Sequence, residues 1–123
     1  MGQVHVEGDN NPRFSFVGVN VNSLVVYEVP KQYLEKGVPL DELKAENPNT
    51  KWFLEGQHDA KVTIEYGKAP VGMKESASSN PLTEGVIYFV SSYVGTRDTG
   101  AFVGNYFRIR NGKAEEIHEE IGK

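Results

Sequence analysis

The chain has 123 residues, a length that fits a single domain over 1–123 and excludes a second catalytic domain of ordinary size. At 38% hydrophobic and 24% charged residues the composition is that of a globular protein, and no stretch approaches the roughly 18 to 20 apolar residues needed to span a bilayer. Thirteen basic against seventeen acidic residues give a net charge of −4 with no basic stripe, which argues against a nucleic-acid partner, and the absence of cysteine removes disulfides, thiolate metal sites and thiol nucleophiles.

The start, Met1-Gly2-Gln3-Val4-His5-Val6, lacks the basic segment, apolar stretch and cleavage site of a signal peptide. It fits a cytosolic start, or a chain from which an export signal or lipid-anchor cysteine has been trimmed; of these, a periplasmic or extracellular setting is the expectation. Val4 and Val6 alternate with polar neighbours and lead into Gly8-Asp9-Asn10-Asn11-Pro12, so a short strand and a turn open the chain. Phe14 and Phe16 share one parity while Val17, Val19 and Val21 share the other, with Gly18 at the changeover, the pattern of a β-bulge. Leu24 to Val29 is apolar on both parities and rich in β-branched residues, as a central strand covered on both faces would be, and Pro30 ends it.

Lys31 to Glu35, and Leu40 to Glu46 between Pro39 and Pro48, predict short helical turns in a crossover. Lys51 to Leu54 and Lys61 to Tyr66 resume strand character, with Val62, Ile64 and Tyr66 facing one way. Gly67 to Glu84, punctuated by Gly, Pro, Ser and Asn, reads as a mobile loop. Val86 to Val94 and Ala101 to Arg110 form a hairpin around the turn Gly95 to Gly100. Asn111-Gly112 is the favoured pair for a type I′ turn. That turn sets Arg110 against Lys113, Ile109 against Ala114, Arg108 against Glu115 as an ion pair, and Tyr106 against Ile117, with strand to about His118. Ala114, Ile117 and Ile121 also stand at helical spacing, so helix is the alternative for the tail.

The elements add up to an all-β chain, an antiparallel β-sandwich of about seven strands with one or two short helical turns in a crossover. Parity within the strands predicts one core containing Phe16, Leu24, Val26, Val62, Ile64, Val86, Tyr88 and Phe107. Leu82-Thr83-Glu84-Gly85-Val86-Ile87-Tyr88-Phe89-Val90 resembles the fibronectin type III signature L-x-P-G-x-x-Y-x-V. Leu82, Gly85, Tyr88 and Val90 match it and Glu84 stands at the usual Pro. The family's strand-B tryptophan has no counterpart, since Phe14 and Phe16 occupy that region and the sole Trp is Trp52. The resemblance implies an immunoglobulin-like sandwich in which Leu82 and Tyr88 form a corner, and binding or spacing more than catalysis.

Candidate chemistry is sparse. His5, His58 and His118 lack the spacing of a metal site, and the acidic run around His118 reads as an exposed tail. Asp9-Asn10-Asn11 lacks the alternating ligands of a calcium loop, and His58-Asp59 has no nucleophile elbow to serve. No phosphate-binding glycine pattern occurs, so no catalytic residue, metal or cofactor is expected. The one positive candidate is the Gly95 to Gly100 tip, where Arg97 and Asp98 flanked by Tyr93 and Tyr106 would meet another protein. The expected function is therefore a non-enzymatic binding or structural module, the soluble part of an exported bacterial protein or lipoprotein. The alternative is a cytosolic small-ligand or enzymatic domain, because Tyr106 to Lys113 resembles the closing hairpin of the nuclear transport factor 2 class, whose domains open with long helices.

Overall fold

Nine strands and two single-turn 3₁₀ helices carry the described part of the chain, residues 4–16, 20–58, 63–95 and 100–117 of a computed structural model, and no α-helix occurs among these residues. β1 (Val4–Gly8), β2 (Pro12–Phe16) and the two-residue β5 (Ile64–Glu65) form a three-stranded antiparallel sheet in the order β1-β2-β5. The second sheet holds β3 (Val21–Glu28), β4 (Thr50–His58), β6 (Met73–Ala77), β7 (Ile87–Val94), β8 (Ala101–Arg110) and β9 (Lys113–Glu116), in the order β6-β4-β3-β7-β8-β9. Where the resemblance to the nuclear transport factor 2 class calls for opening helices, Val4 to Glu28 supplies three strands.

The two sheets close on a shared apolar layer, an all-β sandwich. Phe16, Leu24, Val26, Ile64, Tyr88 and Phe107 all lie in it, and Val86 packs against it partly buried; Val62 falls outside the described residues. Trp52, fully buried, adds the largest side chain, and its indole N–H donates to Glu75 at 2.6 Å, which satisfies the one polar atom the ring carries into the core. Tyr88 stacks on Phe107 at 5.6 Å between ring centroids, and its hydroxyl accepts the Thr83 N–H at 2.7 Å. Leu82, partly buried, packs against the same core.

The change of parity between Phe16 and Val21 marks a change of sheet, since β2 and β3 belong to different sheets. The bulge expected at Gly18 lies outside the described residues; the described irregularity falls between Val21 and Ser23. The Asn111-Gly112 turn holds φ of 54° and 74°, and the pairing Arg110 with Lys113, Ile109 with Ala114 and Arg108 with Glu115 follows from it. The Arg108 guanidinium reaches Glu115 at 2.9 Å, and the Ile117 N–H donates to the Tyr106 carbonyl at 2.9 Å. Whether the tail winds beyond Ile117 concerns residues outside those described.

One expectation is corrected. The stretch from Gly67 to Glu84 is not loop throughout, because Met73–Ala77 forms β6 along β4. The approach is close: a Cβ on Gly56 would stand 2.2 Å from the Gly72 carbonyl oxygen and one on Gly72 2.3 Å from that of Gln57, and both glycines have positive φ. Only glycine at both places permits the Gln57 N–H to reach the Gly72 carbonyl at 3.1 Å.

Candidate functional site

Odd-numbered residues of β7 and even-numbered residues of β8 point away from the sandwich core, because the side-chain period of a strand is two. The register Phe89 with Tyr106, Ser91 with Gly104 and Tyr93 with Phe102 places two aromatic cross-strand pairs on this outer face. Phe89 and Tyr106 tilt together with centroids 4.5 Å apart, and Tyr93 and Phe102 meet edge to face at 5.0 Å. Gly104 sits between them, and Phe89 leans over it so closely that a Cβ there would lie 2.5 Å from the ring. Phe102 is 55% exposed, which leaves the pair at the hairpin end open to solvent.

The other end of the face is covered. Residues 29–49, joining β3 to β4 and bearing the 3₁₀ turns Lys31–Tyr33 and Leu40–Glu42, run across it as a strap. Tyr27 is fully buried yet absent from the intersheet core; its hydroxyl donates to Glu42 at 3.4 Å and receives the Asn49 side-chain amide at 3.5 Å. The Val38 N–H donates to the Tyr106 hydroxyl at 3.3 Å. Burial pushes the pKa of Tyr27 and Tyr106 upward, and the Val38 N–H pulls that of Tyr106 the other way. Between strap and sheet remains a cavity of about 430 Å³.

Tyr93 and Tyr106 therefore share one face but belong to different pairs, four residues apart along the hairpin or about 13 Å. Arg97 and Asp98 lie outside the described residues. Phe89, Phe102, Tyr33 and Lys36 were missed in the sequence, although counting the hairpin register back from Gly95 and Gly100 pairs both sets of rings.

The weaker candidates have structural uses. The Asp9 carboxylate accepts the Asn11 N–H at 2.9 Å, an ordinary Asx turn, and Glu84 accepts the Asn111 N–H at 2.9 Å. Exposed His5 lies 3.8 Å from Glu116, whose carboxylate also accepts the Val6 N–H at 2.8 Å. Among the described residues no group of three His, Asp or Glu could hold a metal ion, and no helix is long and apolar enough to cross a membrane. Comparison with known families, with characterised proteins and with solved structures finds no match for this chain.

Proposed function

We propose that the chain is a non-enzymatic binding module of immunoglobulin-like design that engages a protein partner through the open end of the β7–β8 hairpin. The immunoglobulin-like reading is supported by strand order: β1-β2-β5 in one sheet and β4-β3-β7-β8 within the other correspond to the A-B-E and C′-C-F-G arrangement of such sandwiches. The Tyr88 hydroxyl at the entry to β7 corresponds to a tyrosine corner at the start of strand F. β6 and β9 are then additions at the two edges.

The observation that carries the binding site is Phe102, a large apolar residue held exposed against Tyr93 on two long paired strands. Aromatic residues in such rigid settings supply contact area at low entropic cost, and the tip residues Arg97 and Asp98 follow directly in the chain between the two rings. Immobilised wild-type chain, Phe102→Ser, Arg97→Ala/Asp98→Ala and Lys31→Ala would be compared for the proteins they retain. A partner held by wild type and Lys31→Ala but lost by the other two, with circular dichroism and melting unchanged, is the expected result. Identical capture by all four would sink the proposal.

A further inference from the structure

The cavity under the strap lies at the end of the outer face away from the hairpin turn, and its volume of about 430 Å³ is in the range of small-molecule sites. Its floor is aromatic, with the two ring planes inclined at 33° to each other. Phe89 and Tyr106 supply the rings, and the missing side chain at Gly104 lets the Phe89 ring lean over that residue. From the strap, Tyr33 and Lys36 complete the wall.

The polar side chains there are Lys36, Tyr33 and Tyr106, and none of them is anionic. The Tyr106 hydroxyl oxygen is occupied by the Val38 N–H, so its own proton is left to give, and no acceptor for it occurs among the described residues. Lys36 makes no ion pair among the described residues. No carboxylate lines the cavity, although acidic residues outnumber basic ones over the chain. An aromatic floor beside an ammonium without an ion-pair partner and a hydroxyl proton free to donate is complementary to an aromatic ring carrying a single negative charge and acceptor oxygens.

We infer that this cavity binds a small aromatic carboxylate, its ring packed against Phe89 and Tyr106 and its carboxylate held by Lys36 and the Tyr106 hydroxyl. A doubly charged phosphate matches less well, since one lysine would leave it half neutralised. The site uses neither Phe102 nor Tyr93, so it stands or falls separately from the partner surface at the hairpin end.

The test is titration of the full chain with 2-naphthoate, followed by amide NMR and calorimetry, beside its uncharged counterpart 2-naphthamide. Saturable one-site binding is expected, with the largest shifts at Tyr33 to Val38, Gly104 and Tyr106. The amide should bind about tenfold more weakly, the size of effect that loss of a charge-assisted contact gives. Lys36→Gln should lower naphthoate to the level of the amide, and Phe102→Ser should leave it unchanged. Equal affinity for acid and amide, or for wild type and Lys36→Gln, would show that only apolar surface is recognised and overturn the assignment. Shifts centred on Tyr93 and Phe102, or no saturation at all, would overturn it as well.

Discussion

Tyr66 shows how one side chain ties a sparse strand into the fold. β5 contributes only two paired residues, but Tyr66 beyond it is buried against Trp52, with ring centroids 5.2 Å apart, and its hydroxyl donates to the Asn80 carbonyl at 2.5 Å. Burial raises the Tyr66 pKa well above the ordinary tyrosine value near 10, the Asn80 hydrogen bond opposing it only in part. The sign for stability follows from proton counts. Above about pH 10 the unfolded chain releases a proton that the folded chain retains, so stability is fully present below that pH and falls as pH rises through it. In Tyr66→Phe the decline between about pH 9 and about pH 11 should be shallower than in wild type, although stability at neutral pH drops by about 1 kcal/mol with the lost hydrogen bond. Urea midpoints across that range decide the matter, and parallel curves would mean that another group governs the alkaline limb.

At the scale of strands, β1 and β9 illustrate how the sandwich shuts along one side. They belong to different sheets, yet the backbones of Asp9 and Lys113 form an isolated antiparallel β-bridge, the Glu116 carboxylate accepts the Val6 N–H at 2.8 Å, and the Asn105 side-chain amide donates to the Val4 carbonyl at 3.0 Å. Side chains thus satisfy backbone groups that an open edge would expose. Glu116→Ala should cost about 1 to 3 kcal/mol in denaturant unfolding, because a partly buried N–H loses its acceptor, and Glu116→Gln, which keeps an acceptor oxygen, should cost less. A cost for Glu116→Ala within error of zero would show the clasp to be ornamental. The register of β8 and β9 was legible because the Asn111-Gly112 turn allows one pairing, and β3 and β7 were legible as strands from their runs of β-branched and aromatic residues. β6 was not. Lys74, Glu75 and Ser76 have no apolar signature, and the strand exists because Gly56 and Gly72 admit backbone contact and because Glu75 answers the Trp52 indole. Likewise Tyr93 was legible as a surface aromatic, but Tyr33 and Lys36 reach the outer face only through contacts between distant parts of the chain, which no local pattern encodes.

On the scale of the whole molecule, the six-stranded sheet is covered by two layers of unequal strength. The inner layer is the shared core, with Trp52, Tyr88, Phe107, Phe14 and the aliphatic residues packed between the sheets. The outer layer is the strap, whose two 3₁₀ turns contain no buried residue. It is held by Tyr27 beneath Glu42 and Asn49, and by the Thr50 hydroxyl donating to the Lys44 carbonyl at 2.6 Å. Near its middle the Val38 N–H is held by a single bond to the Tyr106 hydroxyl. A segment with few buried apolar contacts opens at lower free energy than the core it covers, so hydrogen exchange in the strap should follow local opening, while β3 and β7 amides exchange through global unfolding. The Val38 amide is the sharpest reporter. Tyr106→Phe removes its acceptor and keeps the ring against Phe89, so Val38 exchange should quicken by about tenfold, with β3 and β7 protection and the melting temperature nearly unchanged. Were β3 and β7 amides to lose protection in step with Val38, strap and sandwich would be one cooperative unit.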